Sequence, residues 1–145
     1  MHIDIQVLDK HFYLKHLSLR RFCRRVIQNA WNGGKEAVIS VVLADNDFVQ
    51  NLNKQYRGKN KPTNVLSFEN EWPLAGDIVI AYGVTRDEVK AQKKTFAAHL
   101  AHLLTHGALH LQGYDHLTDR QAKKMESLEI KLMAKLGYKN PYEGV

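Results

Sequence analysis

Hydrophobic and polar positions alternate at the start of the chain, where Ile3, Ile5 and Val7 are separated by polar neighbours. A period of two places these three side chains on one face of a strand. Between residues 17 and 31 the period lengthens: Leu17, Leu19, Phe22, Val26, Ile27 and Ala30 recur at helical spacing, and Gly33 and Gly34 supply a stop. Residues 37–44 are a short, largely β-branched run suited to a central strand. Asp45 is a good N-cap for a helix carrying Phe48, Val49, Leu52 and Tyr56 inward. Residues 57–63 contain Gly and Pro and no apolar side chain to bury, which predicts a loop. Residues 65–68 read as a third strand. After a loop containing Pro73 and Gly76, residues 77–82 read as a fourth.

The second half of the chain is helical in pattern. Thr85 and Glu88 have the spacing of a capping box, predicting a helix that opens there. From about 95 to 111, Phe96, Leu100, Leu103, Leu104 and Leu109 keep helical spacing, with alanines between them that permit close packing and Gly113 as the stop. Thr118 and Gln121 form a second capping box, and Met125, Leu128, Leu132 and Leu136 run down one side of a final helix that Gly137 ends. Four strands interspersed with helices, with no repeat and no linker, predict one α+β or layered α/β domain over residues 1–145.

Composition narrows the function. Hydrophobic residues at 44% and charged residues at 25% are ordinary for a folded domain. The formal charge of +6 fits a polyanionic partner without requiring one. A single cysteine, Cys23, excludes an intramolecular disulfide and a cysteine-rich zinc site, so any metal must be held by His or carboxylate. The N-terminus lacks the basic head and continuous apolar run of a secretory signal, and no stretch is long enough to span a bilayer. The expectation is a cytoplasmic protein with no membrane partner. Arg20, Arg21, Arg24 and Arg25 lie opposite the apolar stripe of their helix as two like-charged i,i+4 pairs. Such pairs cost a few tenths of a kcal/mol unless an anion lies beside them. A solvated basic face and a phosphate-facing surface both fit. Arg57, Lys59 and Lys61 make the 57–63 loop basic throughout.

Five of the eight histidines fall between positions 99 and 116. His106 and His110 are four apart, about 40° around a helix axis and one turn along it, so both rings project from one face. Gly113 follows, allowing the chain to turn back, and His116 comes three residues later. This is the ligand spacing of the metzincin proteases. Their pattern has Glu directly after the first His as general base, whereas here that position is Gly107. The ligands of a metal with an open fourth position survive, and the protease base does not. His99 and His102 read as packing or ligand-orienting residues, and Asp115 as a turn residue, a base or a partner of a ligand ring.

The segment from His106 through Gly107, Leu109, His110, Leu111, Gly113, Tyr114 and Asp115 to His116 resembles the histidine motif of the YbeY family, bacterial endoribonucleases of ribosomal RNA maturation. Tyr56, Arg57 and Lys59, the run from Lys61 to Phe68, Gly76 with Asp77, and the ending Leu136, Gly137, Tyr138, Asn140, Pro141 and Tyr142 are similar to further segments of that family in the same order. The matches span roughly residues 40–142. The resemblance implies a small mixed four-stranded sheet flanked by helices, with one zinc ion on His106, His110 and His116. It also implies cleavage of single-stranded RNA, action in small-subunit rRNA 3′-end processing and ribosome quality control, and an Arg matching Arg57 that is important for activity.

Residues and resemblance together predict metal-assisted phosphodiester hydrolysis, in which the ion lowers the pKa of water to about 7 or polarises a phosphoryl oxygen and Arg57 steadies developing charge. The proton acceptor stays open among Asp115, a substrate phosphate and zinc hydroxide. Lys59, Lys61, Arg20, Arg21, Arg24 and Arg25 are candidate RNA contacts, Ser67 a candidate hydrogen-bonding group, and Tyr56 and Tyr114 candidate stacking surfaces. Two rival readings are a zinc peptidase-like hydrolase and a non-catalytic RNA-binding assembly factor with a structural metal.

Overall fold

The computed structural model describes residues 1–71 and 74–143. The elements run β1 (His2–Val7), α1 (Leu19–Ala30), β2 (Val38–Ala44), α2 (Asn46–Arg57), β3 (Val65–Glu69), β4 (Leu74–Ala81), α3 (Tyr82–Gln92), α4 (Phe96–Leu111) and α5 (Asp119–Lys135). The strands form one sheet in the order β1-β2-β4-β3. Strands β1, β2 and β4 are parallel to one another, and β3 pairs antiparallel with β4. Parallel neighbours need crossovers, which the helical segments between them supply. The expected α+β domain with a small mixed sheet is the one formed.

Alternation along the strands divides the core. Ile3, Ile5, Ile39, Val41, Leu43, Ile78 and Ile80 face one side, where Cys23, Val26 and Ile27 of α1 and Leu100, Leu104 and Ala108 of α4 cover them. Leu66, Val79 and Ala81 face the other, against Val49 and Leu52 of α2. Helix α4 is therefore a central element, with the sheet on one side and α1, α3 and α5 around it. Ten of its sixteen residues are buried, so its position is rigidly set.

Several local expectations differ from the structure. Helix α3 opens at Tyr82, directly off β4, and not at Thr85. Its first turn is satisfied from outside, because the Asn46 side chain accepts from the Val84 N–H at 3.0 Å. Thr85 is buried inside the helix, with its hydroxyl donating to the Ala81 carbonyl, and Glu88 points to α4. Gly76 is a strand residue of β4 and not part of a loop. Its φ is +145°, and a Cβ there would lie 2.1 Å from the Phe68 carbonyl oxygen, so only glycine fits this pairing. Pro73 lies outside the described residues. Leu17 precedes α1 and is exposed, while Phe48 and Tyr56 also face solvent, because α2 buries only Val49 and Asn53, with Leu52 half-buried beside them. The Thr118–Gln121 capping box is present as expected.

Candidate metal centre and active-site cleft

His106 and His110 occupy the last turns of α4, and the helix stops within three residues of the second. Gly113 has φ +92°, and the N–H groups of Gly113 and Tyr114 close the helix end on the carbonyls of His110 and Leu109. A residue with a side chain is strained at that φ, which explains glycine in the spacing. The chain then returns His116 to the helix. One ring nitrogen from each of His106, His110 and His116 lies within 4.8 Å of the others.

Hydrogen-bond partners assign the tautomers. His106 Nδ1 lies 2.6 Å from Glu129 Oε1, and His110 Nδ1 lies 2.9 Å from the Tyr114 carbonyl oxygen. Both partners only accept, so both Nδ1 atoms carry the proton. The two Nε2 atoms, on the opposite edges of the rings, stand 3.0 Å apart, close enough to share a proton or to converge on one metal ion. Burial lowers the His110 pKa, and the neighbouring His106 and His116 lower it further, which favours the neutral ligand form. Three imidazole nitrogens this close together fit a borderline divalent ion such as zinc, and other first-row metals suit the same donors.

Glu129 is the residue that the sequence reading missed. It sits on α5 in the middle of the Met125 and Met133 stripe and is fully buried. Burial alone would raise its carboxyl pKa. Hydrogen bonds from the histidine side and from the Tyr142 hydroxyl outweigh this and bring it down to about 2. His102 Nε2 lies 3.4 Å from the same oxygen as His106, within ion-pair reach but without hydrogen-bond geometry. A carboxylate that accepts from a ligand's second nitrogen fixes ring orientation and raises ligand basicity. The available signal was a lone Glu inside an apolar helical stripe, where an ionised group is rarely found without a partner.

Gly107, which broke the protease pattern, is buried against the sheet. A Cβ built there would lie 2.9 Å from Ile78 Cγ2 and 3.2 Å from Ser67 Oγ. The site has no room for the glutamate base of a metzincin, and the position explains its glycine by packing.

The histidines line one end of a cleft of about 600 Å³ whose other walls include Arg57, Lys59, Lys61, Thr63 and Ser67. Arg57 is the last residue of α2. Gly58 caps that helix at φ +69° and turns the chain into the basic loop. The Arg57 guanidinium is held over the Phe68 ring, 5.5 Å from its centroid, while Nη2 donates to the Ser67 carbonyl at 2.7 Å. The remaining N–H groups can face the cleft. The loop itself is pinned at two points. Buried Asn53 donates to the Lys61 carbonyl at 2.9 Å. Asn64 donates to Glu88, which also pairs with buried His99 at 2.9 Å. Burial would raise the Glu88 pKa, but the bonds from His99 and Asn64 lower it below the usual carboxylate value.

The other candidates divide. Asp115 lines the cleft, and its Oδ1 accepts from the N–H of His116, so it shapes the turn that delivers the third histidine. Arg20, Arg21, Arg24 and Arg25 are absent from the described cleft walls, and Arg24 is occupied on the carbonyl of Ile3. His99 and His102 serve Glu88 and Glu129 and do not join the metal cluster. Tyr56 stands exposed with its ring edge-on to Phe68, and Tyr114 is half-buried beside the cleft.

A family model described as endoribonuclease YbeY matches residues 4–137. An endoribonuclease YbeY from Hydrogenovibrio crunogenus is 41% identical over 157 aligned residues, covering 99% of this chain and 98% of its own. Among solved structures, a solution structure of a Thermotoga maritima protein superposes with a TM-score of 0.58, covering 97% of this chain and 99% of its own at 22% identity. That last likeness bears on the fold alone.

Proposed function

The chain belongs to the YbeY endoribonuclease family, and from that premise we propose that it is a zinc-dependent hydrolase cleaving single-stranded RNA, its substrate phosphate bound in the histidine cleft. The observation that carries this reading is the meeting of three convergent imidazoles with Arg57, Lys59 and Lys61 in one cleft. His106, His110 and His116 would hold a zinc ion, which would supply Lewis acidity for attack on phosphorus.

The chain's own groups do the rest. Arg57, preoriented by Ser67 and Phe68, presents N–H donors to the non-bridging oxygens as charge builds on them, a form of electrostatic preorganisation. Lys59 and Lys61 draw the backbone of the strand in and hold it. Glu129 keeps the proton on His106 Nδ1, and the Tyr114 carbonyl keeps it on His110 Nδ1, leaving both Nε2 atoms for the metal. Asp115, the carboxylate beside His116, is the candidate proton acceptor within the cleft.

In the cell, the protein is cytoplasmic and acts, as one domain over residues 1–145, on the 3′ end of small-subunit rRNA and in ribosome quality control, with the small subunit as partner. Arg20, Arg21, Arg24 and Arg25 supply a second phosphate-contacting face away from the cleft. The peptidase alternative lacks a base, because Gly107 packs on the sheet. Metal-analysed protein tested on single-stranded RNA, duplex RNA and casein separates the readings. Cleavage of the single strand alone, abolished by chelator and restored by zinc, is expected. Casein turnover with intact RNA would overturn the proposal.

A further inference from the structure

A second cavity of about 420 Å³ adjoins the histidine cleft. Glu69 belongs to the walls of both, and successive residues are divided between them. His110 and Asp115 line the cleft, while their neighbours Leu111 and Tyr114 line the second cavity. The chemistry of the two differs. The cleft carries Arg57, Lys59 and Lys61, whereas the described walls of the second cavity hold no Lys, Arg or His and include Trp31, Tyr114, Leu111, Asn32 and Asn70. An anion is drawn to the first, and a flat uncharged ring with polar edges suits the second.

The aromatic walls are held ready. Trp31 Nε1 donates to the Gly34 carbonyl at 3.2 Å, and Gly33 lies against the indole so closely that a Cβ there would fall 2.7 Å from Cζ2. Gln112 staples this segment to α4. Its Oε1 accepts from the Asn32 N–H at 2.8 Å, and its Nε2 donates to the carbonyls of Ala30 and Ala108. The Tyr114 backbone is held by its carbonyl, which accepts from His110 Nδ1, and Lys124 Nζ lies 5.8 Å from the Tyr114 ring centroid. The Trp31 segment and the Tyr114 backbone are thus both tied to the helix that carries His106 and His110. Such placement lowers the ordering cost of binding.

We infer that this second cavity is a nucleobase subsite, in which a base flanking the phosphate held in the cleft stacks on Trp31 and Tyr114. The inference rests on the endoribonuclease reading. Glu69, at the shared wall, repels a phosphate there and accepts hydrogen bonds from base N–H groups, so it selects base over backbone. Stacking on aromatic side chains is the general route to holding single strands, with a base contributing about 1–3 kcal/mol, or about 5- to 150-fold in affinity.

Two measurements test it. The chain has two tryptophans, so metal-free Trp72→Phe protein reports on Trp31 alone. Titration with a single-stranded RNA oligomer should quench Trp31 emission. With wild-type holoenzyme, oligomers carrying one abasic nucleotide at each position in turn should show one site next to the scissile phosphate where kcat/KM falls about 5- to 150-fold. In Trp31→Leu, intact and abasic oligomers should then bind alike. RNA that is bound and cleaved with Trp31 emission unmoved and a flat abasic scan overturns the subsite and leaves the nuclease reading standing. RNA that is neither bound nor cleaved overturns both.

Discussion

His106 Nε2 and His110 Nε2 face each other at 3.0 Å while each ring's Nδ1 is committed to an acceptor, Glu129 on one side and the Tyr114 carbonyl on the other. That geometry lets both Nε2 atoms converge on one cation, with the Glu129 carboxylate and the Tyr114 carbonyl orienting the rings from behind.

Glu129→Gln keeps the shape of the buried side chain and removes its charge. Outer partners of metal-bound histidines typically contribute 10- to 100-fold in metal affinity. Zinc affinity measured by competition with a chromogenic chelator should fall by about that factor, and Tyr142→Phe should fall in the same direction by less. Unchanged affinity in both would show that the carboxylate is only a packing feature.

The same carboxylate governs acid stability. Its folded pKa of about 2 lies below the ordinary value of 4.5, so the folded state binds fewer protons than the unfolded one. Its stabilisation is complete above the unfolded pKa and is lost as pH falls from about 4.5 toward 2. Glu88, lowered in the same direction, adds to the effect. Chemical denaturation of metal-free protein should show a midpoint that drops steeply across this window, and the drop should be shallower in Glu129→Gln. Parallel pH profiles would contradict the assignment.

Gly107→Ala introduces a Cβ against Ile78 and Ser67 and should destabilise by about 1–3 kcal/mol, the usual cost of overpacking. Gly107→Glu restores the protease motif in sequence but cannot place its carboxylate at the metal. Thermal unfolding should show a lowered Tm for both, and Gly107→Glu should gain no casein hydrolysis.

The histidine cluster was legible in the chain because three residues at fixed helical and turn spacing encode it locally. The α+β class was legible for the same reason, since strand and helix periods differ. Long-range partners left weaker traces. Glu129 acts on His106 from 23 positions away, and nothing in the spacing pairs α5 with α4. Thr85 and Glu88 matched a capping box, but tertiary contacts overrode it: Asn46 caps the helix earlier and Glu88 turns to Asn64 and His99. Tyr56 and Phe48 looked inward because helical spacing alone does not say how wide the buried stripe is. The four arginines of α1 formed a visible charge cluster, yet their separation from the cleft is a fact of packing.

Arg57→Lys keeps the positive charge but loses the planar donors that bond Ser67 and cover Phe68. Turnover should fall in kcat by about 100-fold or more, with zinc content unchanged, as expected for loss of a preorganised donor. Wild-type kcat in Arg57→Lys would show that a charge anywhere in the loop suffices.

The most direct test is cleavage of a single-stranded rRNA 3′-end fragment by wild type, His110→Ala and Arg57→Ala, each purified alike and analysed for metal. Wild type should cleave, His110→Ala should lack both metal and cleavage, and Arg57→Ala should keep its metal and lose most of its turnover. Equal cleavage by all three would contradict a nuclease centred on this cleft.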